Sequence, residues 1–210
     1  MCGIFGYTGN NPAFKIIHQG LKRLEYRGYD SWGISLTTKG GIKTIKKIGE
    51  IPDNIKNNNL STIGIGHTRW ATHGGVTDGN AHPHDSLKYN ISIAQNGIVE
   101  NYIELKEQLE KEGYLFTTQV DTEAILHQIE YFLDRSKPLK AAVIETYKKL
   151  KGRNTIIVLE KDNNAIIAIK NGSPLILGIG KDELFLASDP LAFNNYTQKV
   201  IYLNKPLNSI

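Results

Sequence analysis

The sequence predicts an α+β fold in which β-sheets pack face to face and helices lie on their outer sides. Three observations carry this reading. β-type runs open the chain around one helix, a block of helices follows, and β-type runs return at the end, which does not match a regular strand–helix–strand alternation. A length of 210 residues is enough for one domain with a well-buried core and short for two. No internal repeat, low-complexity tract or linker divides it, so the whole of 1–210 reads as a single domain.

The elements follow in order. A short β-type run, Gly3 to Tyr7, ends at the Gly9-Asn10-Asn11-Pro12 turn, and a helix starting near Pro12 carries Phe14, Ile17, Leu21 and Leu24 on one face. Segments 31–38 and 41–49 read as strands joined by a hairpin turn at Lys39-Gly40-Gly41. Segment 61–69, alternating and rich in Ile, Gly and Thr, is a further strand. Ala71 to Leu87 is polar and irregular. A strand is predicted over 90–95, then a helix from about Asn101, where Asn101 and Glu104 have capping-box spacing and Tyr102, Leu105 and Leu109 supply an apolar face. Two more helices are expected at about 121–134 and 139–151. The stretch 154–203 reads as four or five β-type runs, broken at Asp162-Asn163-Asn164, Asn171-Gly172-Ser173-Pro174 and Gly178-Ile179-Gly180.

Composition excludes several classes. A net charge of +4 with scattered lysines argues against nucleic-acid binding, and the pairs Lys46-Lys47 and Lys148-Lys149 sit in apolar periodic segments, where they read as solvated faces. No run approaches the ~20 apolar residues that a membrane span needs. The start, Met-Cys-Gly-Ile-Phe-Gly, lacks the charged and apolar regions of a secretory signal. A single cysteine allows no intrachain disulfide and suits a reducing compartment, so a cytoplasmic location is expected.

That cysteine is the first residue that points to chemistry. Removal of Met1 leaves Cys2 with both a thiol and a free α-amine, whose reference pKa of about 7.7–8.0 lets it accept the thiol proton without a dedicated histidine. Position alone does not separate such a nucleophile from an inert cysteine. Downstream, His67-Thr68-Arg69-Trp70-Ala71-Thr72-His73-Gly74 leaves a predicted strand. Arg69 can clamp a carboxylate bidentately and Thr72 and His73 can add hydrogen bonds, although a surface arginine beside a packed tryptophan fits equally. Gln95-Asn96-Gly97 ends a strand; Asn-Gly is a common tight turn, and it can also aim an amide and a backbone N–H at one point, as an oxyanion hole requires. Asp121 stands at a helix start, as an N-cap or as a carboxylate for an ammonium group. Histidines 67, 73, 82 and 84 raise a metal site, but their spacing matches no ligand motif, and ordering of the loop is the favoured role.

Taken together, Met1-Cys2-Gly3-Ile4-Phe5-Gly6-Tyr7, Arg23 to Ser31 (Arg-Leu-Glu-Tyr-Arg-Gly-Tyr-Asp-Ser), His67 to Gly74, Asn80-Ala81-His82-Pro83-His84 and Asn96-Gly97-Ile98-Val99-Glu100-Asn101 resemble the glutaminase domain of the glucosamine-6-phosphate synthases. The resemblance continues through Gly172-Ser173-Pro174-Leu175 and Ala187-Ser188-Asp189 and so covers essentially the whole chain. It implies the N-terminal-nucleophile hydrolase fold, a four-layer αββα sandwich. It implies that Cys2 forms a γ-glutamyl thioester from L-glutamine, with Asn96 and Gly97 as oxyanion hole. Arg69 would hold the α-carboxylate and Asp121 the α-amine, helped by Thr72 and His73, with Trp70 on a mobile closing loop. Arg27 and Gly28 would pack near Cys2 and support its amine and thiol. No metal or organic cofactor is implied. The ammonia would pass to a sugar isomerase, as a further domain or a separate subunit through which a homo-oligomer can form; this chain ends where the glutaminase domain would. Four positions depart from the family pattern: Gln95 stands for the usual His, Trp32 for a small residue, Gly75-Val76 predicts a looser loop, and Gly152-Arg153-Asn154-Thr155 lacks the usual Gly-x-Tyr. These departures leave open a glutaminase of another sugar or purine amidotransferase, and a non-catalytic glutamine sensor.

Overall fold

The computed structural model describes residues 2–72 and 74–203. Among them the chain runs β1 (Gly3–Thr8), α1 (Ala13–Leu24), β2 (Ser31–Thr38), β3 (Gly41–Ile48) and β4 (Ile63–Arg69). It continues with β5 (His84–Asp85), β6 (Ile91–Gly97), α2 (Tyr102–Lys111), α3 (Thr122–Leu133) and α4 (Leu139–Lys149). It closes with β7 (Asn154–Glu160), β8 (Ala165–Asn171), β9 (Ile176–Ile179), β10 (Leu184–Ala187) and β11 (Val200–Tyr202). A seven-stranded sheet has the order β11-β9-β10-β1-β4-β2-β3 and a four-stranded one the order β5-β6-β7-β8, with every pairing antiparallel.

Three apolar cores separate four layers. On the outer side of the larger sheet, Phe5, Tyr7 and Phe185 pack against Ile17, Leu21 and Leu24 of α1. Between the sheets, Ile4, Ile63 and Ile65 meet Ala94, Ile157 and Leu159. Beyond the smaller sheet, Ile91, Ile93, Ile156 and Val158 are covered by α2, α3 and α4 through Leu105, Ile125, Ile129 and Val143. Successive strand residues face opposite sides, so central strands such as β1 need apolar residues at both parities: Ile4 points between the sheets and Phe5 to α1. This is the αββα arrangement expected from the element order.

Some local expectations give way to tertiary partners. Asn101 precedes α2 but makes no capping bond; its amide instead accepts from Lys151 N at 2.8 Å and donates to Lys149 O at 3.0 Å. The chain leaving α4 offers those two unpaired backbone groups, and satisfying them outweighs a cap. Glu104 lies 3.8 Å from Lys151 and not back on the helix N-terminus. Trp32 is 2% exposed and belongs to the core on the α1 side, so its bulk is absorbed by packing.

Close approach of α1 to the larger sheet depends on glycine. A Cβ on Gly66 would lie 2.6 Å from Ile17 Cγ2 and 2.8 Å from Leu21 Cδ1. Gly66→Ala is therefore expected to destabilise by about 1–3 kcal/mol through overpacking, although Ala is ordinarily the better strand residue. A lowered urea midpoint with unchanged m-value checks it; an unchanged or raised midpoint contradicts the close packing.

Candidate active site

The place of Cys2 is set by β1. Gly3 pairs with Thr68 of β4, and Gly3 N donates to Thr68 Oγ1 at 3.1 Å, so Cys2 lies at the point where β4 ends. Trp70 N donates to Cys2 Sγ at 3.3 Å, and the thiol donates to Trp70 O at 3.6 Å. Ile4 N is held by Ser188 Oγ at 3.1 Å. Gly28 lies against the exit of β4: a Cβ there would stand 2.8 Å from Arg69 C and 2.9 Å from Thr68 O, so only glycine fits. Asp30 N donates to Arg69 O at 3.1 Å, and Asp30 Oδ2 accepts from Ala71 N at 2.8 Å, holding both sides of Trp70. Arg27, 8% exposed, donates from Nη1 to Ser188 O at 3.0 Å and pairs with Asp189 at 3.5 Å. Its charge and that of Arg69 favour a thiolate at Cys2, but burial dominates and pushes the thiol up. The resting sulfur is therefore the neutral thiol, which needs a base.

The second sheet brings the opposite wall. Strand alternation turns Asn96 toward β1, where its Nδ2 donates to Cys2 O at 3.1 Å. Asn96 Oδ1 accepts from His67 Nε2 at 3.0 Å, a proton shared with Gln95 O at 3.0 Å, which sets the amide so that its NH2 group faces the nucleophile. Asn96-Gly97 is not a tight turn; both residues remain paired in β6, with Thr155 and Asn154. Gly97 is required there because φ is 132° and a Cβ would lie 2.0 Å from Arg153 O.

Asp121 precedes α3 without capping it, a further correction. Its Oδ2 accepts from Val99 N at 2.7 Å, since the chain leaving β6 presents an unpaired N–H at that point. Arg69 is 4% exposed and donates to Gly75 O at 3.2 Å. Gly75 is also held by Asn80 Nδ2 at 2.9 Å and by Gln119 Oε1 at 3.0 Å, so the looseness expected at Gly75-Val76 is countered at its first residue. Cys2, Arg69, Trp70, Thr72, Gly97 and Asp121 border one pocket of ≈ 30 Å³. That holds about two waters, and Trp70 and Thr72 at its border are exposed. Trp70 rests on Tyr29, with ring centroids 5.7 Å apart. His73 lies outside the described residues. A wider cleft of ≈ 740 Å³ runs along α3, remote from Cys2 and lined by charges already paired, such as Lys88 with Asp134 and Arg135 with Glu112.

His67, His82 and His84 are buried and form a chain of ring contacts at 4.3 and 4.9 Å. Among the described residues no group of three or more His, Cys, Asp and Glu has the geometry of a metal site. His67 and His82 instead serve the backbone of Gln95. Asp30, Asn80, Gln119 and Thr122 are site-building residues that sequence reasoning did not single out. Asp30 and Asn80 stand inside motifs quoted above, whereas nothing local marks Gln119 or Thr122.

A family model described as "Glutamine amidotransferase domain" matches residues 67–195, and the chain belongs to that family. The glutamine–fructose-6-phosphate aminotransferase [isomerizing] of Methanococcus maripaludis is 47% identical over 97% of this chain and 36% of its own length. That of Aquifex aeolicus is likewise 47% identical, over 97% of this chain and 35% of its own. The chain thus spans about a third of these curated relatives. Among solved structures, the glutamine phosphoribosylpyrophosphate amidotransferase of B. subtilis superposes with a TM-score of 0.81 at 29% identity, covering 96% of this chain and 44% of that one. An allosteric regulatory enzyme of purine biosynthesis gives 0.79 at 30%, with the same coverage. The αββα layers are those of an N-terminal-nucleophile hydrolase, as the motifs implied.

Burial lowers the histidines from 6.5, His67 to about 4 and His84 to about 3. A depressed folded-state pKa contributes stability that is complete above pH 6.5 and is lost as pH falls toward the folded values. Urea midpoints are expected to drop between pH 6.5 and 4, while the ring NMR signals of His67 and His84 stay neutral at pH 5. Titration of either ring near 6.5 in the folded protein contradicts their burial.

Proposed function

We propose that this chain hydrolyses the side-chain amide of L-glutamine, with Cys2 as nucleophile after loss of Met1. The observation that carries the reading is the convergence on one pocket of a cysteine at position 2, Gly97, a buried Arg69 and Asp121, with the Asn96 amide bonded to Cys2 O. The freed α-amine of Cys2 takes the thiol proton, and the sulfur attacks the amide carbon. Asn96 Nδ2 and the Gly97 N–H receive the developing oxyanion. The proton held on the amine goes to the leaving nitrogen, and ammonia departs. Water then attacks the γ-glutamyl thioester, giving glutamate and the free thiol. Arg69 takes the α-carboxylate and Asp121 the α-ammonium, Thr72 and His73 add hydrogen bonds, and Trp70 covers the site. Arg27 and Gly28 support Cys2 through Ser188 and the exit of β4.

The ammonia goes to a sugar isomerase, on the same chain or on a partner, which makes glucosamine 6-phosphate from fructose 6-phosphate. The 47% identity to relatives bearing that aminotransferase name supports this acceptor. The structural likeness to purine-pathway amidotransferases supports a second acceptor, a phosphoribosyl group, at lower identity. Glutamine-dependent product formation by this chain with each candidate acceptor domain separates the two.

Cys2→Ala is expected to reduce glutamate release by at least about three orders of magnitude. Intact mass should show parent protein without Met1 and a single adduct of a thiol-reactive glutamine analogue at Cys2. Retained activity in Cys2→Ala sinks the mechanism. Asp121→Asn keeps an acceptor for Val99 N but loses the charge, so KM for glutamine should rise about tenfold or more with kcat little changed. An unaltered KM removes Asp121 from the substrate clamp.

A further inference from the structure

We infer that Gln95, the residue departing from the family pattern beside the oxyanion donors, is a positioning residue that ties Asn96-Gly97 to the start of α3. The inference rests on the glutaminase reading and goes beyond it.

The argument begins with a sheet edge. β5 covers β6 only at Ile93 and Ser92, so the β6 backbone beyond Ile93 has no strand beside it on that side. Ser86 N donates to Ile91 O from the β5 side, and by the two-residue repeat of the ladder the N–H and C=O of Gln95 face the same way. Buried backbone groups left unpaired would cost roughly 1–3 kcal/mol each. Two histidines take the place of the missing strand: Gln95 N donates to His82 Nδ1 at 3.4 Å, and His67 Nε2 donates to Gln95 O at 3.0 Å. The edge then lies open beyond Gln95, and the Gly97 N–H, in the same phase, points to the pocket that Gly97 borders.

From there the bonds close into a ring. With Nδ1 of His82 accepting, its Nε2 carries the proton and donates to Thr122 Oγ1 at 3.3 Å. The Thr122 hydroxyl donates in turn to Gln95 Oε1 at 2.7 Å. Gln95 Nε2 continues to Asn154 Oδ1 at 2.7 Å, on the strand paired with β6. Gln95, His82, Thr122 and Asn154 are each at most 5% exposed, so none can exchange these partners for water without opening the structure. Gln95 borders the pocket, yet both polar ends of its side chain are bonded to residues that do not line it. Gln95 therefore acts through its neighbours. Thr122 follows Asp121 and Gln95 precedes Asn96, so one ring sets the carboxylate proposed for the substrate amine against the proposed oxyanion donors. A glutamine suits the position because it offers an acceptor to Thr122 and a donor to Asn154 at the same time; leucine offers neither and glutamate lacks the donor.

The test uses the protein lacking Met1, with whatever acceptor domain its full chain carries. Gln95→Leu and Thr122→Val should each lower kcat for glutamate release about ten- to a hundredfold, with KM for glutamine changed less than about threefold. Thr122→Ser, which keeps the hydroxyl, should restore kcat to within about threefold of the parent. Alkylation of Cys2 by iodoacetamide, which needs neither oxyanion donor nor amine clamp, should proceed at the parent rate in all three. Folded Gln95→Leu and Thr122→Val proteins with parental kcat, or with losses in KM alone, overturn the inference. An inactive parent instead overturns the glutaminase reading. Should the apolar variants not fold, ring 15N shifts of the parent decide: protonated Nε2 and bare Nδ1 at His82 uphold the ring, and protonated Nδ1 at His82 overturns it.

Discussion

The antiparallel pairing of β1 with β4 is the contact from which the site is built. Cys2 lies one residue before the first paired position, Gly3 opposite Thr68, so the beginning of the chain is locked to the end of a fully buried strand. The fit is tight, since a Cβ on Gly3 would lie 2.5 Å from Thr68 Oγ1 and 2.8 Å from Leu24 Cβ. The thiol then has its position relative to Trp70 imposed by the sheet and not by a loop. A side chain one residue from a paired strand is held more firmly than one on a loop, which is the advantage of placing a site on rigid elements.

The smaller sheet supplies the remaining groups through strand alternation. One side of β6 turns Asn96 toward Cys2, and the other turns Gln95 toward α3. Adjacent residues thereby serve two layers, which is possible only because both faces of this sheet are covered. The polar groups enclosed there are costly unless paired, and Gln95, Thr122 and Asn154 pair with one another. His67 links the two sheets by donating to Asn96, so the amide's orientation is fixed from the sheet whose first strand follows Cys2.

Burial also decides the protonation states. It holds the Cys2 thiol neutral against the pull of Arg27 and Arg69, and it holds the three histidines neutral, with the repulsion between neighbouring imidazolium charges acting in the same direction. A neutral thiol is the starting state that the proposed single-residue nucleophile and base chemistry requires. Arg69 and Asp121 border the same pocket with charges of opposite sign.

The element order, the helix faces and the identity of Cys2, Arg69, Asn96 and Asp121 as candidates were all legible in the chain, because periodicity and residue chemistry are local properties. The β2–β3 hairpin and the helices α1 to α4 fall where apolar spacing put them. Local rules failed where a distant group competed. Asn101 gave up its cap for Lys149 and Lys151, Asp121 gave up its cap for Val99, and Asn96-Gly97 stayed in a strand because β7 lies beside it. Asp30 and Asn80 stood inside recognisable motifs and Gln119 and Thr122 did not, but the supporting bonds of all four were hidden, since each bonds a partner 27 or more residues away. Sequence alone thus determined which side chains are able to do the chemistry. Only the packing of two sheets decided which of them meet, since hydrogen-bond partners across layers are chosen by geometry that no stretch of chain contains by itself.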